Sequence, residues 1–123
     1  MTRALPILDF RLDDLEEVTT KVYLAQSLGI SRQTLNTYHE LATLYIDGFI
    51  QNYPKVGDRV YTRAGMNKYQ SWVLVKLIYE GMRLGYKVLE ANLEDSEFAE
   101  KFSYSQYIKS TQVTVSSSKG GSA

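Results

Sequence analysis

One block of seven residues, Gly29-Ile30-Ser31-Arg32-Gln33-Thr34-Leu35, constrains this chain more than any other stretch. A glycine directly after a helical apolar pattern is a stop signal, because it takes the left-handed conformation that closes a helix without a Cβ clash. A serine two residues later is a start signal, because its hydroxyl accepts from the free amides of the next helix's first turn. The two together predict two short helices joined by a tight turn. Upstream, Val22, Leu24, Ala25 and Leu28 lie at helical spacing from Thr20 to Leu28. Downstream, Leu35 and Tyr38 mark the inner face of a helix expected from Arg32 to about Leu44.

A steep crossing of two short helices needs a small residue at the crossing, a glycine in the turn and apolar residues at set offsets. Ala25 and Gly29 fill the first two roles, and Leu24, Leu28, Ile30, Leu35 and Tyr38 fill the third. Residues 21–40 therefore match a helix-turn-helix, with two adjacent amphipathic helices around a glycine turn as the plain alternative.

After it, Gln51 to Tyr61 is rich in turn formers (Asn52, Pro54, Gly57, Asp58) and ends in Arg59-Val60-Tyr61, which reads as a turn with short extended arms, a β-wing. Thr62 is the expected cap of the longest helix, whose core face is Met66, Tyr69, Val73, Leu74, Leu77 and Ile78. Gly81 and Gly85 are expected to weaken or break it. A further helix is expected from Val88 to Phe102. At the ends of the chain, Leu5–Leu12 reads as a short strand leading into an acid-rich helix start, and Val113 and Val115 alternate as in a strand. Ser116–Ala123 is small and polar, as disordered tails are. The expected organisation is a DNA-binding domain over 1–93, a packing or dimerisation segment over 94–115 and a tail over 116–123.

The helix-turn-helix resembles that of the MerR-type winged-helix regulators, in which a Leu-Ala, Gly-Val/Ile-Ser, Thr-Leu and Tyr series precedes a wing ending in Arg-x-Tyr and a helix ending in Leu-Gly-Phe/Tyr. This chain has Leu24-Ala25, Gly29-Ile30-Ser31, Thr34-Leu35, Tyr38, Arg59-Val60-Tyr61 and Leu84-Gly85-Tyr86, in that order over residues 20–93. It departs from the family in the longer stretch from Tyr61 to Gly85 and in its Tyr38-His39 pair. Nothing after residue 93 resembles the family's coiled-coil helix or an effector pocket. In outline it is similar to the short effector-less regulators accompanying some CRISPR-associated transposons. The resemblance implies a mainly α fold, a winged helix-turn-helix followed by a long helix and a short C-terminal helix or strand. It also implies a cytoplasmic bacterial repressor that binds double-stranded DNA as a homodimer.

Charge fits that expectation despite a net of zero. Residues 21–87 carry nine cations and four anions, between acidic ends over 1–20 and 88–123. A basic middle suits a DNA face. With Leu35 and Tyr38 turned inward, the second helix exposes Ser31, Arg32, Gln33, Asn36, Thr37 and Glu40. Arg32 matches guanine through a bidentate contact, Gln33 and Asn36 match adenine, and Ser31 and Thr37 suit phosphate oxygens. In the wing, Lys55, Arg59 and Arg63 are candidates for phosphate or minor groove, and Tyr61 either reaches a phosphate or packs beneath the wing. A second apolar series on the long helix (Trp72, Val75, Tyr79, Met82, Tyr86, continued by Leu89 and Leu93) predicts a two-fold dimer interface. Cover by the chain's own Phe98, Phe102 and Tyr107 is the alternative.

Other classes find little support. The chain has no cysteine, so disulfides and thiol chemistry are excluded, as is cysteine-ligated zinc. No run reaches the roughly 18 apolar residues of a membrane span, and Met1–Pro6 does not open a secretory signal. The single histidine, His39, is expected at the surface or on a phosphate and has no second histidine with which to hold a metal. Asp13/Asp14 and Glu16/Glu17 diverge on a helix start, and no nucleophile–base set stands out, so no catalytic residue, cofactor, metal or small-molecule effector is expected. Two other readings stay open: an adaptor in a phage or transposon machine, built on the same scaffold, and an architectural DNA binder.

Overall fold

The computed structural model describes residues 18–110. The strand and acid-led helix expected before residue 18, the alternation at Val113 and Val115, and the Ser116–Ala123 tail lie outside them. The described chain is mainly helical with one small two-stranded sheet.

Helix α1 (Lys21–Leu28) starts where the Thr20 hydroxyl accepts from the Tyr23 amide at 3.1 Å. It ends at Gly29, whose φ of 72° turns the chain left-handed. Helix α2 (Arg32–Tyr45) starts at Ser31, whose Oγ accepts from the Thr34 amide at 3.0 Å. The two helices bury Leu24, Ala25, Leu28, Leu35, Tyr38, Leu41 and Ala42. Of the apolar positions expected inside, Ile30 is half-buried and Val22 is exposed.

Phe49 and Tyr53 anchor the connection to a two-residue hairpin, β1 (Lys55–Val56) and β2 (Arg59–Val60), paired Lys55 to Val60 and Val56 to Arg59. Gly57, at φ 69°, opens the Gly57-Asp58 turn, as a short hairpin requires. Beyond it, Thr19 and Met66 exchange two backbone hydrogen bonds of 2.8 and 2.7 Å, so the chain entering α1 lies beside the chain leaving the hairpin.

Helix α3 (Lys68–Leu84) is capped by Asn67, not by Thr62. A reciprocal pair decides the point: Asn67 Oδ1 accepts from the Gln70 amide at 2.8 Å, and Gln70 Oε1 accepts from the Asn67 amide at 2.9 Å. The fully buried Gln70 also donates to the Phe49 carbonyl at 3.0 Å, pinning the start of α3 to the segment after α2. All six core positions expected on this helix are buried. Gly81 does not break the helix. It admits the Tyr38 ring of α2, and a Cβ built there would stand 2.1 Å from the Tyr38 hydroxyl. Gly85, at φ 94°, does end it.

The single helix expected over Val88–Phe102 is instead α4 (Tyr86–Leu93), a short α5 (Ser96–Ala99) and a 3-10 turn (Glu100–Phe102). Asp95 caps α5 by accepting from the Glu97 amide, which forces the break. Residues 104–110 are helical again.

The second apolar series of α3 is divided by these elements. Trp72 lies between Tyr69 and Tyr107, with ring centroids 6.1 and 5.4 Å away. Leu89 and Leu93 join the main core, so they are not part of an outward stripe. Tyr86 meets Tyr38 edge-on at 5.8 Å. Val75 and Tyr79 remain half-buried and Met82 exposed. No helix among the described residues is long and apolar enough to cross a membrane.

Candidate nucleic-acid interface

The side chains expected to contact DNA sit on three local frames. The turn at Gly29 and the Ser31 cap set the first turn of α2, which leaves Arg32, Gln33 and Asn36 exposed. The hairpin presents Lys55, Arg59 and, just past it, Tyr61, all exposed. Tyr61 is therefore not packed beneath the hairpin; its amide donates to the Pro54 carbonyl at 2.8 Å and its ring faces outward. Arg63 lies on the segment between β2 and the Thr19–Met66 pairing.

Two of the nominated hydroxyls are engaged within the helix. Ser31 Oγ donates to Thr34 Oγ1 at 2.9 Å while capping, and Thr37 Oγ1 donates to the Gln33 carbonyl at 3.1 Å. Each oxygen retains acceptor capacity, but a phosphate offers only acceptors. A phosphate contact from either residue would have to displace its present hydrogen bond.

The tertiary structure brings Arg32 and Asn36 of α2 together with Arg63 and with Lys21, the first residue of α1. These four line one open groove of about 480 Å³, with Thr20, Val22 and Ala64. Lys21 was not among the residues singled out from the sequence. Its Nζ donates to the Thr62 carbonyl at 3.1 Å, across 41 residues, and so ties the start of α1 to the segment leading out of the hairpin. Partial burial, and then the Arg32 charge, hold the Lys21 ammonium below its usual pKa. A sequence clue was present, since Lys21 directly follows the Thr20 cap; only the fold shows that it faces Arg32 and Arg63. Lys55, Arg59 and Tyr61 do not line this groove.

Among the described residues the one ion pair is Arg83 with Glu80, so the groove's three cations have no carboxylate partner among those residues. Like charges held together without a counter-ion repel, and an anion entering between them relieves that repulsion. Such a groove suits phosphate oxygens, and Asn36 adds a donor–acceptor amide beside them.

His39 belongs elsewhere. It is neither a surface residue nor placed for a phosphate: its Nε2 is hydrogen-bonded to the Tyr53 hydroxyl at 2.7 Å, and its ring meets Phe49 edge-on. Burial, reinforced by the Lys21 charge, pushes its pKa down to about 4. It is a neutral strut between α2 and the segment before the hairpin. No group of three or more metal-ligating side chains occurs among the described residues. No family model matches the chain, and no curated protein or solved structure matches it.

Proposed function

We propose that the chain is a winged helix-turn-helix regulator that binds double-stranded DNA sequence-specifically, without catalysis, and acts as a dimeric repressor in the bacterial cytoplasm. In this reading α1 and α2 form the helix-turn-helix and β1–β2 the wing. The observation that carries it is the groove in which Lys21, Arg32 and Arg63 stand together, with no carboxylate partner among the described residues, beside Asn36 on the exposed first turns of α2.

The first turns of α2 enter the major groove. Arg32 reads guanine and Gln33 or Asn36 reads adenine, while Lys21 and Arg63 neutralise phosphates at the edge of the contact. Lys55, Arg59 and Tyr61 on the wing add contacts to the backbone or minor groove. The half-buried Val75 and Tyr79 and the exposed Met82 of the α3 series pair two copies, which then read an inverted repeat.

A salt-titrated binding assay tests this with the full chain, DNA from upstream of its own gene and a scrambled duplex. The native duplex is expected to bind at least about a thousandfold more tightly than the scrambled one. Replacing Lys21 and Arg63 together by glutamine is expected to lower the slope of log affinity against log salt by about two for both duplexes. Equal affinity for the two duplexes, or an unchanged slope, overturns the reading.

A further inference from the structure

Helix α2 carries a second groove at its other end. Fourteen helical residues span roughly 20 Å, so this site is separated from Arg32 by most of the length of the helix. The second groove, of about 460 Å³, lies between the end of α2 and the α4–α5 corner. Leu44, Tyr45 and Ala99 contribute its apolar surface above the buried Leu93, and Asp47, Glu94 and Glu100 are its charged members. Leu44 is 65 % exposed, the highest value among the large apolar side chains described.

None of the three carboxylates has a cationic partner among the described residues. One of the three, Glu94, acts on the neighbouring tyrosine. Partial desolvation, and then the carboxylates of Glu90 and Glu94, raise the pKa of the Tyr45 hydroxyl. A neutral or acidic occupant would strip water from these carboxylates and return no charge, whereas a cationic one compensates them. The chain's own ends do not have that character. Residues 1–17 hold two cations against five anions, and residues 111–123 hold a single lysine.

We infer that the groove formed by Leu44, Tyr45, Leu93 and Ala99 is a docking site for a basic amphipathic segment of a partner protein, its apolar anchors covering Leu44 and its Lys or Arg residues meeting Asp47, Glu94 and Glu100. An amphipathic helix laid in a groove is one recurrent form of such recognition, with anchors at helical spacing and flanking charges setting specificity. The site stands apart from the DNA reading, because its occupant leaves Lys21, Arg32 and Arg63 open.

The test uses the full chain and a synthetic peptide of about four helical turns, with leucines at helical spacing and Lys or Arg elsewhere. A control peptide keeps the leucines and carries Glu in place of the basic residues. The basic peptide is expected to shift the backbone NMR signals of Leu44, Tyr45 and Ala99, and the acidic control to leave them unmoved. Glu94→Gln with Glu100→Gln, and separately Leu44→Ser, are each expected to weaken peptide binding about tenfold. The same variants should change affinity for DNA by less than about twofold, since their sites are separate. Shifts that map elsewhere, equal binding of the acidic peptide, or unchanged affinity in the variants overturns the inference. DNA affinity measured on the same samples reports independently on the regulator reading.

Discussion

The contact between Gly81 and Tyr38 sets two effects against each other, so the sign of a single measurement is informative. In a helix interior, Gly→Ala normally stabilises by about 1 kcal/mol, because alanine has less backbone freedom to lose. At Gly81 the new methyl would meet the Tyr38 hydroxyl at 2.1 Å, Cε1 at 2.7 Å and Cζ at 2.8 Å. Favourable carbon contacts lie near about 3.5–4.0 Å, so the ring must retreat by about 1 Å. It has little room, being 8 % exposed and held edge-on by Tyr86. Overpacking of this kind costs about 1–3 kcal/mol, which outweighs the helix gain by about 1 kcal/mol. Gly81→Ala is thus expected to destabilise, lowering Tm by about 4–8 °C. Urea unfolding followed by circular dichroism gives the free energy. Tyr38→Phe removes the nearest atom, so in that background the Gly81→Ala penalty should shrink by about 1 kcal/mol, a coupling within reach of a double-mutant cycle. A Gly81→Ala protein at least as stable as the parent, or a penalty unaltered by Tyr38→Phe, refutes the packing argument.

Arg32→Ala should lose about 1–3 kcal/mol of specific affinity and relax preference at one operator position; a randomised-site selection with an unchanged consensus counts against base reading. For His39, the folded pKa of about 4 lies below the ordinary 6.5, so between those values the unfolded chain binds more protons and stability falls as pH drops. The shift sets a ceiling of about 3 kcal/mol, which solvent at this partly exposed ring reduces to about 1–2 kcal/mol. Comparing urea midpoints at pH 7 and pH 5 should show a larger drop in the parent than in His39→Gln; equal drops defeat the assignment. Tyr79→Glu should leave circular dichroism unchanged, give monomers by light scattering and weaken operator binding sharply. A parent monomeric at tens of micromolar, or a dimeric variant, ends the proposal of pairing through α3.

The α1–turn–α2 block was legible in the sequence because its signals are local. The Thr20 and Ser31 hydroxyls each bond an amide three residues on, and Gly29 takes a φ that other residues avoid. The core face of α3, and Leu35 and Tyr38 on α2, were legible for a similar reason, since helical period separates buried from exposed positions. Turn chemistry likewise marked the Gly57-Asp58 hairpin. Competition between signals was harder to read. Thr62 and Asn67 both qualify as caps, and only the Gln70 side chain, bonded to Asn67 and Phe49, chose between them. A continuous apolar series ran through Gly85, but the bend there sent Leu89 and Leu93 inward and left Val75, Tyr79 and Met82 behind.

Partners distant in sequence decided the rest. Gly81 reads as a helix breaker until Tyr38 arrives from another helix to occupy the space where its side chain would be. His39 reads as a surface residue until Tyr53 and Phe49 enclose it. Lys21, Arg32 and Arg63 are scattered cations in the sequence and become one charged groove through the Lys21–Thr62 bond and the Thr19–Met66 pairing. Local hydrogen bonding and periodicity specify where helices begin, end and face. Long-range packing determines which side chains share a site, because that depends on how faces meet.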